Sequence, residues 1–205
     1  MTFLTKVKSG AINVVLGSKS PRRSELLGSI VSDFEVRIED CNEIFPSHLQ
    51  GGEIAIYLSQ LKSVAYTKQG ANELLITADT IVWMNNEIYE KPKSASDAQR
   101  MLAELSGNVH HVYTGVSVRH KGVTHSFVSD TTVEFGSLSK EVIAGYVRKY
   151  EPLDKAGAYG IQDCLSENGD QIGPLPIKIL VGSYTNVIGL PVEQLKEELS
   201  ALFLD

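Results

Sequence analysis

The sequence predicts a mixed α/β fold, an elongated sheet flanked by helices. Apolar residues recur at helical spacing in the segments 51–70, 94–106 and 138–150. Shorter β-rich runs lie between these segments, and tight turns join some of them. Because helices and strands alternate irregularly, with hairpins inserted, a mixed sheet fits this pattern better than a strictly parallel, doubly wound one.

The first strand and the first clearly signalled helix follow one another near the N-terminus. The apolar run Ile12–Gly17 predicts a strand. Ser20 is a good N-cap, and Pro21 suits the first helical position, where its missing N–H costs nothing. We therefore expect a helix that begins at Pro21.

The first turn of that helix is unusual in its charge. Acidic residues normally lie there, against the positive end of the helix dipole, but this chain has Arg22 and Arg23. Unpaired backbone N–H groups, serine hydroxyls and two guanidinium groups would together suit a polyphosphate. The alternative is an arginine pair lying on a solvated helix face.

The middle of the chain is mainly β in its pattern. Leu74–Ala78 predicts a short buried strand, and Thr80–Met84 with Glu87–Tyr89 predicts a hairpin that turns at two asparagines. The segment 112–135 predicts two more strands, joined by a turn at Lys121-Gly122. Helices are expected on either side of this β-rich region.

The C-terminal part predicts a glycine-rich region, one strand and a closing helix. The strand is Ile177–Val181, the segment Gly182–Pro191 is expected to be a loop, and the helix carries the apolar positions of 192–202. With 205 residues and 42% hydrophobic content, the chain can bury a substantial core. We predict a single domain over residues 1–205, organised in two lobes.

Charge and cysteine content limit the possible partners and compartments. The formal net charge is −6, which argues against nucleic-acid binding, where a basic face supplies most of the affinity. Two cysteines are too few for a disulfide framework, so a reducing compartment is expected. No apolar run is long enough to span a bilayer. These features predict a cytoplasmic protein that binds neither nucleic acid nor a membrane.

Four charged residues are candidates for chemistry. Asp79 follows the Leu74–Ala78 strand, where a carboxylate can bind a metal or accept a proton from water, although an aspartate there is also a common turn former. Lys91 closes the hairpin that starts at Asp79, so it is expected near that carboxylate. Lys62 lies among apolar helix positions and points either inward or along the packed face. Glu43 is a candidate second metal ligand.

Gln162 ends a segment, 151–162, that is rich in small residues and therefore permits close approach of a flat ligand or another strand. Its amide carries a donor and an acceptor, which are the groups needed to read the edge of a base. Several other nucleotide and metal motifs are absent from the sequence: a Walker loop, a dinucleotide fingerprint and paired histidines at zinc spacing. Kinase and P-loop chemistry are therefore not expected.

Together these motifs resemble the Maf family, once named for septum formation and regarded as nucleoside triphosphate pyrophosphatases. The resemblance covers nearly the whole chain, and it is the order and spacing of the motifs that is specific. The motifs are Ser18–Arg23, Ala78–Thr80, Glu90–Pro92, Leu105–Gly107 with His110 and Tyr113–Gly115, Asp154–Gln162, and Gly182–Tyr184 with Gly189–Pro191.

The resemblance implies hydrolysis of a nucleoside triphosphate between its α and β phosphates, with a divalent cation, Mg²⁺ or alternatively Mn²⁺ or Co²⁺. It also implies a domain with a central cleft, as in the inosine triphosphatase-like fold, and a homodimer. By resemblance, Asp79 is the catalytic carboxylate and binds metal with Glu43. The residues expected to hold the triphosphate are Ser18, Arg22, Arg23, Lys62 and Lys91.

The resemblance also implies a substrate branch. Arg22, Thr80 and Gln162 match positions associated with base choice, and their combination is similar to the branch that acts on dTTP and UTP. Alternatives are the same reaction on 7-methyl-GTP or another non-standard nucleotide, and a non-catalytic nucleotide-binding regulator of cell division. This chain departs from the expected pattern in the loop 166–176, which is longer and is expected to alter access to the base.

Overall fold

The computed structural model describes residues 2–203. Its helices are α1 (Phe3–Lys8), α2 (Pro21–Gly28), α3 (Gly52–Ala65), α4 (Ala95–Leu105), α5 (Lys140–Tyr150), α6 (Tyr184–Ile188) and α7 (Val192–Leu202). Its strands are β1 (Asn13–Leu16), β2 (Glu35–Val36), β3 (Glu73–Met84), β4 (Glu87–Tyr89), β5 (Val109–His120), β6 (Val123–Phe135) and β7 (Ile177–Val181). Two short 3₁₀ turns cover Ala156–Ala158 and Ile161–Asp163.

The strands form one mixed sheet, as the sequence predicts. Their order is β2-β1-β3-β5-β6-β7, and β4 pairs with β3 outside this path. β1 is parallel to both β2 and β3, whereas β4 is antiparallel to β3 and β7 is antiparallel to β6. The mixed α/β class is therefore confirmed.

Local capping and turn chemistry explain several boundaries. The side chains of Ser20, Ser94 and Ser139 accept backbone N–H groups at the starts of α2, α4 and α5. Asn85 and Asn86 both have positive φ, which is the backbone of the tight turn that joins β3 to β4. These boundaries can be predicted from the sequence, because the interactions that determine them join residues close together in the chain.

Four sequence predictions need correction. Leu74–Ala78 and Thr80–Met84 are not separate strands, because β3 runs unbroken from Glu73 to Met84. The segment 182–191 is not only a loop, since it contains α6. Two short elements, α1 and β2, were not predicted. α3 ends at Ala65, earlier than the segment 51–70 suggests.

The chain divides into two compact units. Within the described residues, the first unit comprises residues 2–79, Thr114–Ser129 and 189–203, and the second comprises Thr80–Tyr113 and Asp130–Ile188. The prediction of one domain over residues 1–205 stays a prediction. None of the helices within residues 2–203 combines the length and apolar character needed to cross a membrane.

The first unit has a mainly aliphatic core on β1 and the first half of β3. Its members include Val14, Leu16, Leu74 and Ile76, joined by residues of α2 and α7. α3 also lies against strands of this unit through small residues. A Cβ added to Gly115 of β5 would lie 2.2 Å from the backbone oxygen of Ala55 in α3. This helix therefore approaches the sheet as closely as its backbone allows.

Hydroxyl groups continue this close contact along α3. The Oγ atoms of Ser59 and Ser117 are 2.8 Å apart, and Thr77 Oγ1 donates to the Ser59 carbonyl at 2.8 Å. Thr77 and Asp79 lie on the same face of β3, because side chains alternate along a strand. The contact between Thr77 and Ser59 therefore fixes where the next turn of α3, which carries Lys62, lies relative to Asp79.

The second unit has a larger core that contains aromatic residues and one buried histidine. His110 is fully buried, its Nε2 lies 2.8 Å from Tyr159 Oη, and its ring meets Phe135 edge to face. Nδ1 of His110 has no partner among the described residues. Burial lowers the pKa of His110 from 6.5 to about 3. This side chain is therefore neutral in the folded protein at physiological pH.

The loop 166–176 is held in a defined conformation. Gln171 Nε2 lies within hydrogen-bonding distance of the carbonyl oxygens of Cys164, Gly173 and Leu175, at 3.1, 2.9 and 2.5 Å. Its Oε1 accepts the N–H of Ile177 at 3.2 Å. One amide side chain therefore ties the loop to its own two ends.

Substituting Gly115 by alanine is expected to destabilise the first unit by about 2–3 kcal/mol, because the new methyl group would overlap the α3 backbone. Urea denaturation of the purified variant measures the change. Gly28→Ala is the matched control, since a Cβ there meets no atom within 4 Å. Equal stability of the two variants would contradict the close contact.

His110 is expected to make stability depend on pH below 6.5. Its folded pKa of about 3 lies below the unfolded value of 6.5, so the unfolded chain gains a proton first as pH falls. The free energy of unfolding should therefore decrease by about 1.4 kcal/mol per pH unit from this group between those values. Urea denaturation at pH 7.5, 6, 5 and 4, with His110→Gln as comparison, should show a shallower slope for the variant. Identical slopes would contradict it.

Candidate functional site

Asp79 lies where the parallel part of the sheet ends. β1 pairs with Glu73–Ile76 of β3 and stops at Leu16, whereas β3 continues for eight more residues. The expectation that Asp79 ends its strand was wrong, because the apolar residues beyond it continue β3 into the hairpin with β4. The carboxylate nevertheless lies just past the carboxyl end of β1, a usual place for sites in α/β proteins.

Lys62 points inward and joins two carboxylates. Its Nζ lies 2.5 Å from Asp79 Oδ1 and 3.1 Å from Glu43 Oε2. The side chains of Lys62 and Asp79 are 18% and 11% exposed, whereas Glu43 is 52% exposed. Helix α3 supplies the lysine, strand β3 the aspartate and the irregular segment before α3 the glutamate. The sequence did not choose between an inward and a snorkelling lysine; the structure does.

The start of α2 lies in the same unit, directly after β1. Ser20 Oγ accepts the N–H of Arg23 at 3.4 Å, which confirms the N-cap, and Pro21 occupies the first turn. Ser18 is buried, and its Oγ accepts the N–H of Ser20 at 3.2 Å. The first turn of α2 contains no acidic residue, so its positive end has no acidic side chain of its own.

Arg23 is half-buried and forms hydrogen bonds within the first unit. Its Nε donates to the carbonyl oxygen of Gly189 at 2.8 Å, and its Nη1 lies 3.4 Å from Ser18 Oγ. Burial lowers the pKa of Arg23, and the nearby Asp79 carboxylate opposes that shift. Arg22 is half-buried on the same turn. The alternative of two solvated arginines therefore fails for Arg23.

Two contacts around this site have no clear signal in the sequence. Lys19 Nζ lies 2.9 Å from Asp40 Oδ1, which links the α2 loop to the segment that carries Glu43. The carbonyl oxygen of Gly189 accepts a hydrogen bond from Arg23, and the two residues are 166 positions apart in the sequence.

Cys41 is half-buried. Burial is the main cause that raises the pKa of its thiol, and the negative charge of Glu43 raises it further. A raised pKa keeps this thiol protonated and weakly reactive.

Three candidates belong to the second unit. Thr80 is half-buried and follows Asp79 directly in β3. Lys91 is exposed, two residues after the end of β4. Gln162 is half-buried in the 3₁₀ turn Ile161–Asp163, and its amide makes no hydrogen bond within residues 2–203.

The carboxylates of Asp79 and Glu43 are candidate ligands of a divalent cation. Both approach one positive group, the ammonium of Lys62, so their oxygens already converge on a cation. No group of three or more His, Cys, Asp or Glu side chains within residues 2–203 is arranged to hold a metal ion. Two carboxylates suit a metal that takes its other ligands from substrate phosphates and water.

The sequence is similar to known proteins over most of its length. A family model described as "Maf-like protein" matches residues 13–202. The chain is 46% identical over 182 residues to the dTTP/UTP pyrophosphatase of Flavobacterium psychrophilum, covering 88% of this chain and 90% of that protein. It is 43% identical over 191 residues to the dTTP/UTP pyrophosphatase of Bacteroides thetaiotaomicron, covering 92% and 95%.

A solved structure supports the fold. The Ham1 protein of Staphylococcus aureus superposes with a TM-score of 0.52 at 19% identity, covering 93% of this chain and 99% of that one. At this identity the likeness concerns the arrangement of helices and strands. It agrees with the inosine triphosphatase-like fold that the sequence resemblance implies.

Replacing Arg23 by methionine is expected to lower the free energy of unfolding by about 1–3 kcal/mol, because the buried Gly189 carbonyl loses its donor. Lys19→Met, in the loop that precedes α2, removes only an exposed ion pair and should cost less than about 1 kcal/mol. Urea denaturation of both variants tests the difference. Equal effects of the two substitutions would show that the hydrogen bond from Arg23 to Gly189 adds nothing to the free energy of unfolding.

Proposed function

Because the chain belongs to the family of Maf-like proteins, we propose that it is a nucleoside triphosphate pyrophosphatase whose substrates are dTTP and UTP. Water adds to the α phosphorus, the bond from that phosphorus to the oxygen bridging to the β phosphorus breaks, and the products are a nucleoside monophosphate and pyrophosphate. The curated relatives named dTTP/UTP pyrophosphatase, identical at 43–46% over most of the chain, support this reaction.

The start of α2 would bind the phosphates. The positive end of its dipole favours an anion, and Arg22 and Arg23 add two positive charges beside Ser18. Lys62 and Lys91 would add further charge. Phosphoryl transfer depends mainly on positioning and on neutralising charge on phosphate oxygens, so these cations supply much of what the reaction needs.

The pair of Asp79 and Lys62 is the observation that carries the proposal. Their contact of 2.5 Å holds a carboxylate in one place and one orientation in a largely buried setting. We propose that Asp79 binds the attacking water and accepts its proton as the bond to phosphorus forms. Lys62 would orient that carboxylate and, when substrate enters, share its charge with the phosphates.

We propose that Asp79 and Glu43 hold a divalent cation, with Mg²⁺ the expected ion and Mn²⁺ or Co²⁺ as alternatives. Hard oxygen ligands and a partner rich in phosphate oxygens favour Mg²⁺. When bound, such an ion neutralises phosphate charge and lowers the pKa of coordinated water. In the sequence Cys41-Asn42-Glu43, Glu43 is the residue that can serve as the second acidic ligand.

Base choice is the second part of the proposal. Arg22, Thr80 and Gln162 match the family positions associated with the dTTP and UTP branch. Gln162 has an amide that is free to donate and accept, as reading a pyrimidine edge requires. The relatives' names favour this branch over 7-methyl-GTP.

We further propose a cytoplasmic homodimer. The free thiols of Cys41 and Cys164 fit a reducing compartment. β7 lies at one end of the sheet order and exposes Leu180 and Val181, so it offers an apolar edge that a second copy would cover. Sedimentation of the purified protein measures the oligomer.

The decisive experiment incubates the protein and Mg²⁺ with dTTP, UTP, CTP, GTP and 7-methyl-GTP separately and identifies the products by chromatography. We expect monophosphate and pyrophosphate from dTTP and UTP, with a kcat at least about a hundredfold lower for Asp79→Asn because the proton acceptor is lost. Asp33→Asn, an exposed acid of the same unit, is the matched control and should retain full activity.

Three results would contradict the proposal. Normal turnover by a folded Asp79→Asn protein would remove Asp79 from the chemistry. Binding of dTTP without turnover would favour the regulator, and preference for 7-methyl-GTP would move the chain to the other branch.

A further inference from the structure

The turn that carries Gln162 is anchored on both sides by buried polar groups of the second unit. Two residues before it, Gly160 donates its backbone N–H to Tyr146 Oη at 2.9 Å. One residue after it, Asp163 accepts the Tyr146 hydroxyl through Oδ2 at 3.0 Å. A single phenol on α5 therefore holds both flanks of Gln162.

Other contacts leave these flanks little freedom. Tyr159 Oη bonds His110, and Ile161 and Cys164 are buried side chains of the core. A Cβ on Gly160 would lie 2.7 Å from Asp163 Oδ2, so the aspartate carboxylate lies directly against this glycine. Among residues 159–164, Gln162 is left with an uncommitted amide on an otherwise fixed backbone.

Tyr146 is placed to act through these hydrogen bonds. It is 1% exposed, so its hydroxyl cannot exchange its partners for bulk water. Without that hydroxyl, the buried N–H of Gly160 loses its acceptor, and the turn must shift to find another. A shift of the turn moves the amide of Gln162, because the three residues are consecutive or nearly so.

We propose that Tyr146 is a positioning residue for nucleotide selectivity: its hydroxyl fixes Gly160 and Asp163 and so sets where the Gln162 amide meets the base. This inference rests on the proposed role of Gln162 in base choice. Tyr146 itself would not contact the substrate. Recognition of the base by hydrogen bonds depends strongly on where the Gln162 amide lies. A small displacement of this amide therefore lowers discrimination between bases more than it lowers turnover.

Tyr146→Phe tests the inference, since it keeps the buried ring and removes only the hydroxyl. We expect the ratio of kcat/KM for dTTP to kcat/KM for CTP to fall about tenfold, the effect of losing one good hydrogen bond, with kcat for dTTP little changed. Tyr150→Phe is the matched control. Its ring stacks on Tyr146 at 4.8 Å, but its hydroxyl contacts Lys149 instead. Its ratio should equal that of the wild type.

Two further variants separate the possible failures. Gln162→Ala should lose discrimination, and adding Tyr146→Phe to it should change the ratio no further. Discrimination that is lost in Gln162→Ala but intact in Tyr146→Phe would overturn this inference alone. Discrimination that is intact in Gln162→Ala would overturn the role of Gln162 and the inference with it. If Tyr146→Phe does not fold, Asp163→Ala, at the half-buried partner, must lower the ratio, and an unchanged ratio overturns the inference.

Discussion

The ion pair of Lys62 and Asp79 sets the strictest geometric demand in the first unit. Two charges that are largely removed from water must meet each other, since either one alone would be costly. The lysine comes from a helix and the aspartate from a strand, so the helix must lie unusually close to the sheet. Gly115 allows that approach because it has no side chain, and the hydroxyl of Ser59 fixes the helix along the strand. The ion pair that Lys62 forms with Asp79, one helical turn after Ser59, thus explains why α3 has small residues where it faces the sheet.

Arg23 shows how the same group serves the fold and the site. Its Nε supports the Gly189 carbonyl and its Nη1 reaches Ser18, so the guanidinium is already oriented before any anion arrives. Such preorganisation removes part of the entropy cost of binding. The cost is that partial burial lowers the pKa of this arginine, and the charge of Asp79 opposes that shift. Stability and the proposed phosphate binding therefore cannot be altered independently at this position.

The sequence was most informative where neighbours in the chain decide the structure. The serine cap of α2, the asparagine turn after β3 and the periodic helices all follow from interactions over a few residues. The direction of the Lys62 side chain could not be predicted, because periodicity does not distinguish a buried ammonium group from one that reaches water along the helix. Asp79 was expected at the end of a strand because it follows an apolar run and aspartate often forms turns, but pairing with β4 continues the strand past it. The link from Arg23 to Gly189 spans most of the chain and leaves no local pattern.

The loop tied by Gln171 has a practical consequence for work on this chain. Its hydrogen bonds close on its own ends, and its outer residues Glu167, Asn168 and Gly169 are exposed. Gly169 makes the turn at φ +86, and a Cβ there would meet no atom within 4 Å, so room for extra chain exists on the outside. Exposed tips of this kind tolerate inserted peptides. A fluorophore attachment site or an affinity tag placed between Asn168 and Gly169 would report on the protein without entering either core.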